Sequence, residues 1–151
     1  MGDLIWCDWG RLCAITSAIY MLWASFWAFF YRKFFWDFIG GTLGPAGIIP
    51  GTNTKGFVLI VVKIPLLQIF TLLIALLTIL LELPVPLYEN SALHRDIAVR
   101  LALYFAAAFV GVMVYQSVDC SLYYLITSLV YARAMMRGET IGAGLENHSG
   151  A

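Results

Sequence analysis

The sequence predicts an all-α fold: an integral membrane bundle of four transmembrane helices with an aromatic, glycine- and proline-rich first loop. Hydrophobic residues make up 62% of the 151 residues and charged residues only 12%, a balance far from that of a soluble domain. The apolar residues gather into four runs, Leu12 to Phe30, Ile64 to Leu81, Ile97 to Tyr115 and roughly Cys120 to Met136. Each is near the length a helix needs to cross hydrocarbon. Charged residues bracket the runs. At the rise of an α-helix, Arg11 to Arg32 spans about 31 Å, Lys63 to Glu82 and Arg100 to Asp119 about 28 Å each, and Asp119 to Arg137 about 27 Å, all close to one hydrocarbon thickness.

The first run follows MGDLIWCDWG, which carries Asp3 and Asp8 where a cleavable signal is basic, so the first helix reads as an uncleaved signal anchor. The second run is interrupted early by Lys63 and Pro65. A helix starting at Ile64 puts the proline in the first turn, where its missing N–H costs nothing, and leaves Phe57 to Val62 along the interface or as a tilted extension. The third and fourth runs are predicted to form a tight antiparallel hairpin turning around Ser117 to Cys120. Small residues recur at a spacing of four: Ala98, Ala102 and Ala106, beside Ala107 and Gly111, in the third helix, then Ala14 with Ala18 and Ala24 with Ala28 in the first. Such stripes let helix backbones approach closely.

Residues 1–137 are thus read as the transmembrane domain and 138–151, GETIGAGLENHSGA, as a flexible polar tail. Five basic residues on the side shared by the termini against four in the first loop favour both termini in the cytosol. Asn147, the acceptor of a glycosylation sequon in the tail, is then expected to stay unmodified.

Nine basic and nine acidic residues cancel and lie scattered, which gives no footprint for nucleic acid. Cys7, Cys13 and Cys120 form no CxxC pair and no cluster with His94 or His148, so neither a metal site nor a cofactor is expected. No nucleophile motif and no phosphate-cradling glycine loop is present, and the reading is of a protein that is not an enzyme. Four polar residues call for a test as an intramembrane path: Lys63, Gln68, Glu82 and Arg100. Their positions near helix ends predict that Lys63 and Arg100 snorkel to the headgroups. Gln68, about one turn inside Lys63, is expected to make an interhelical hydrogen bond.

The most individual stretch follows the first helix. Arg32 and Lys33 lead into Phe34, Phe35, Trp36 and Asp37, and then Gly40, Gly41, Gly44 and Pro45 forbid a continuing helix. Clustered aromatics beside a basic pair suit a segment held at headgroup level. Anchoring alone does not need the glycines, so residues 34 to 51 form the candidate partner-binding surface.

The run WASFWAFFYRKFFWDFIGGTLGPAGIIP, with PLLQ at Pro65 to Gln68, LELPVP at Leu81 to Pro86 and the pair Tyr115 and Gln116, resembles a family of small fungal four-helix membrane proteins of the endoplasmic reticulum. The resemblance implies residence in that membrane and a chaperone-like role in the stability and delivery of nutrient permeases, such as amino-acid permeases. Expected partners are therefore membrane lipid and polytopic membrane proteins. The alternatives are a small transporter or channel subunit, with Gln68, Glu82 or Arg100 on a wetted path, and a lipid-modifying membrane enzyme.

Overall fold

A computed structural model describes residues 4–45, 47–83 and 96–141. The chain is mostly helical. Helix α1 covers Trp6–Phe30. After it come a 3₁₀ turn, Phe35–Phe38, and a two-stranded antiparallel hairpin of β1, Thr42–Gly44, and β2, Gly47–Ile49, in the register Thr42↔Ile49. A short α2, Lys55–Val58, runs on through a wider π-type turn, Leu59–Lys63. Helix α3 is Leu66–Glu82, α4 is Ile97–Gly111 and α5 is Val118–Met136.

The chain bends by 62° between the Thr52–Lys63 segment and α3. Pro65 stands just before the first residue of α3, so the helix starts two residues later than the sequence reading placed it. The side chain of Gln68 ties across the break: Nε2 donates to the carbonyl of Val61 at 2.6 Å.

α1 packs along both α3 and α5, and α4 packs along α5. The α4/α5 pair is the expected antiparallel hairpin, but its turn is Val112–Ser117 and α4 is shorter than its apolar run. The cause lies in the first loop. Val114 leaves the helix to form an antiparallel bridge with Phe34, and the Phe35 N–H donates to Met113 O at 3.3 Å while the Tyr115 N–H donates to Lys33 O at 3.2 Å.

Side chains are sorted with small and polar residues inside and large apolar ones outside. The inward stripe of α1 is Cys7, Gly10, Ala14, Ser17, Met21, Ala24 and Ala28, alternating steps of three and four. That is the spacing of a coiled-coil seam, filled with small residues instead of leucine. α3 turns Gln68, Thr71, Ala75, Thr78 and Glu82 inward and leaves Phe70, Leu73, Leu76 and Leu80 exposed. α5 buries Ser121, Tyr124, Thr127, Ser128 and Tyr131 and exposes Leu122, Leu125, Ile126 and Leu129. Of the two small stripes on α4, Ala107 and Gly111 face the core, whereas Ala98, Ala102 and Ala106 face outward.

The inward polar groups pair between helices. Ser25 Oγ donates to Thr71 Oγ1 at 2.9 Å, Ser17 and Thr127 share a hydrogen bond at 3.2 Å, and Tyr124 OH donates to Thr78 Oγ1 at 3.1 Å. α5 ends in a Schellman turn: the Gly138 N–H reaches Met135 O, the Glu139 N–H reaches Ala134 O, and Gly138 takes φ +69°, which a residue with a Cβ rarely adopts. Asn147 lies outside the described residues.

Candidate functional site

Two regions concentrate chemistry, one at each end of the bundle. The first lies where α1 begins, α3 ends, α4 begins and α5 ends. Glu82 and Arg100, each 2% exposed, form an ion pair with Arg100 NH1 at 2.5 Å from Glu82 Oε2. Tyr131 OH donates to Glu82 Oε1 at 2.8 Å, and Tyr104 OH donates to the same oxygen. Arg100 also donates to the Leu81 carbonyl at 3.1 Å and to Tyr131 OH at 3.2 Å. Arg11 Nε donates to the Glu82 carbonyl at 3.0 Å, which brings the fourth helix into the cluster.

The local sequence explains this assembly. Arg100 and Tyr104 are four apart and share one face of α4, so both reach the carboxylate at the end of α3. Tyr131 has room for its ring because α1 passes it at Gly10, where a Cβ would lie 3.1 Å from the ring. Burying two charges is costly, and here the carboxylate is compensated by a cation and two hydroxyls.

This corrects one expectation. Arg100 does not snorkel outward: α4 presents it to the core, where a carboxylate and a carbonyl await it, and charge pairing inside displaces solvation outside. Lys63 is exposed. Gln68 is fully buried, but its partner is the Val61 carbonyl across the helix break instead of another long helix. Gln68 and Glu82 are separated by about 21 Å along α3, so the four polar candidates are not brought together.

The second region is the first loop, where α1 ends. Phe34 is not a surface residue: it is 3% exposed, stacks on Phe57 with centroids 5.4 Å apart and carries the bridge to Val114. It anchors the loop. Phe35, Trp36 and Asp37 are half-buried in the 3₁₀ turn, with Phe35 against the edge of Trp36 and tilted on Tyr115. Gly41 is required by a close approach, since a Cβ there would sit 2.8 Å from Ile48 Cγ2 and 2.9 Å from Ile49 O. Gly40 and Pro45 are exposed and Gly44 is half-buried. Within the expected 34–51 segment the surface itself is made by Phe38, Ile39, Leu43, Ile48 and Ile49, all exposed, Leu43 to 94%. No local pattern marks them, since neither three-residue strand alternates and all of β2 is exposed.

Residues 1–139 match a protein family described as a domain of unknown function, DUF7727. The chain belongs to that family. No curated protein and no solved structure matches it. The matched range takes in both regions and closes on Glu139, just past the domain boundary expected at residue 137. There the Glu139 carboxylate accepts a hydrogen bond from the Cys7 N–H at 2.9 Å and covers a free amide at the start of α1.

By length and apolarity, α1 is the one helix among the described residues that passes by itself as a membrane span, and the bent pair Thr52–Lys63 with Leu66–Glu82 passes together. α4 is a shorter apolar helix.

Proposed function

We propose that this protein is a four-span membrane bundle that binds other membrane proteins without catalysing a reaction. The inside-out sorting of its side chains carries this reading. Leu, Phe, Ile and Trp dominate the outer faces of α1, α3 and α5, Phe105 and Phe109 stand outward on α4, and the interior is built of Ala, Cys and Met together with Ser, Thr, Tyr, Gln, Glu and Arg. In water, apolar faces of that extent would have to be covered by something; in lipid they are already in their preferred solvent. The modest hydropathy of α5 has the same origin, because its polar residues are the inward ones and its lipid-facing row is Leu122, Leu125, Ile126 and Leu129. α3, α4 and α5 have lengths of about 22 to 28 Å as helices, which suits a thin bilayer such as that of the endoplasmic reticulum.

The binding role rests on the first loop, which presents an exposed apolar hairpin fastened to the bundle through Phe34. Its clients are polytopic permeases of the same membrane, amino-acid permeases among them, whose stability and delivery it supports; the resemblance of the aromatic and glycine segment is the support for that identity. A transporter role asks for Gln68, Glu82 or Arg100 on a wetted path, whereas Gln68 is bonded to the Val61 carbonyl and Glu82 is paired with Arg100 in the core.

A photo-crosslinking residue placed at Leu43 in native membranes tests the reading. Capture of polytopic membrane proteins at Leu43, with surface permease levels falling when the protein is removed, is expected. Crosslinks to lipid alone, together with unchanged permease levels, would contradict it.

A further inference from the structure

Beside the hairpin, at the end of the bundle where α1 stops, lies a cleft of about 640 Å³ lined by Arg32, Lys33, Asp37, Ile48, Tyr115 and Gln116 among others. That size is typical of small-molecule sites. We propose that this cleft holds the headgroup of a phospholipid bearing a primary amine, with the phosphate against Arg32 and Lys33 and the ammonium against Asp37. The inference rests on the membrane reading above.

The walls are fixed by backbone. The antiparallel pairing of residues 33–35 with 113–115 sets Lys33 opposite Tyr115, and Gln116 Nε2 donates to the Tyr31 carbonyl at 2.5 Å. Two cations and one carboxylate line one cleft, yet among the described residues none of the three is in an ion pair. Arg32 spends only Nε, on the Phe29 carbonyl at 3.2 Å, so its two terminal nitrogens remain for a ligand. A phosphate is a natural partner for such a guanidinium.

Separated charges of both signs fit a zwitterion better than a simple anion. The kind of cation is also constrained. Lys33 Nζ lies 4.8 Å from the centroid of the Tyr115 ring, which is the aromatic face a quaternary ammonium would want. A primary ammonium needs instead an oxygen that accepts its hydrogen bonds, and Asp37 supplies one. The aromatic girdle of Trp27, Phe30, Tyr31 and Trp36 around this end puts the cleft at headgroup depth in a bilayer.

The test uses the full chain in detergent micelles doped with equal amounts of phosphatidylethanolamine, phosphatidylserine, phosphatidylcholine and phosphatidylglycerol, with retained lipid measured by mass spectrometry after detergent exchange. The two amine lipids should be retained roughly tenfold over the other two, the effect of one charge-assisted contact. Arg32→Gln with Lys33→Gln should abolish the retention of all four. Asp37→Asn should leave phosphate binding and erase the preference for an amine. Soluble phosphoethanolamine should displace the bound lipid, whereas inorganic phosphate displacing it equally well would overturn the amine assignment. Equal retention of phosphatidylglycerol and phosphatidylethanolamine, or an unaltered preference in Asp37→Asn with thermal unfolding unchanged, would also overturn the proposal. Those failures are separate from failure of the membrane reading, which would show as a chain recovered from membranes by alkaline wash without detergent.

Discussion

Where α1 begins, Glu82 and Arg100 are turned into the core and joined by two tyrosine hydroxyls; where α1 stops, Arg32, Lys33 and Asp37 line an open cleft and form no ion pair among the described residues. The same residue types serve opposite ends. At the first end charge is consumed in holding four helices together, and at the second it is left available for a ligand. The difference follows from backbone. α3 and α4 place Glu82, Arg100 and Tyr104 on facing sides, whereas the loop after α1 is pinned by β-type pairing that keeps its charged side chains at the rim.

The largest effect should come from breaking the inner cluster on one side. Arg100→Met leaves a buried carboxylate without its cation, and the loss of stability should be about 3–5 kcal/mol. Unfolding in detergent, with protein abundance followed in parallel, measures it. Glu82→Leu with Arg100→Met together should recover most of that loss, short of about 1 kcal/mol for each tyrosine hydroxyl left without an acceptor. A double variant as unstable as the single one would show that the cluster holds the helices through packing and not through charge.

Next comes the loop. Gly41→Val forces a side chain against Ile48 and the Ile49 carbonyl, so the hairpin should lose about 1–3 kcal/mol locally while the bundle keeps its melting temperature. Under the proposed binding role, surface permease levels should fall although the protein itself stays abundant. Phe35→Leu, a change between apolar residues at a half-buried site, should lower neither. If Gly41→Val lowered the stability of the whole bundle, the two ends would not be independent.

The smallest effect is expected at Lys63→Gln. Lys63 is exposed beside the helix break and forms no ion pair among the described residues, so stability should stay within about 0.5 kcal/mol and insertion unchanged. Loss of function in a stable Lys63→Gln protein would give the transport alternative a specific foothold.

Much of the helical architecture was legible in the sequence because apolar runs and bracketing charges report helix positions directly. The hairpin of α4 and α5 and the break at Pro65 followed from the same signals. The inner cluster did not. A ruler of charges treats Arg100 as an edge marker, and only the pairing of Arg100 with Tyr104 at a spacing of four, set against a glutamate ending the preceding helix, hinted that the charge turns inward. The anchoring role of Phe34 depends on a bridge to Val114, eighty residues away in sequence, for which no local pattern exists. Likewise the small-residue seam of α1 is plain at steps of three and four, but hydropathy alone is blind to it because Ala, Ser and Gly score between the extremes.

On the proposed four-span reading, the outer faces of the four long helices meet lipid. Nitroxide labels at Ile19, Leu73, Phe109 and Leu129, one outward position on each helix, would be compared in reconstituted vesicles for relaxation by oxygen and by a water-soluble nickel chelate. All four should be relaxed strongly by oxygen and hardly by the chelate, with a label at Lys55 showing the reverse. Ready access of the chelate to Phe109 or Leu129 in folded protein would contradict the account, because α4 and α5 would then lie in water.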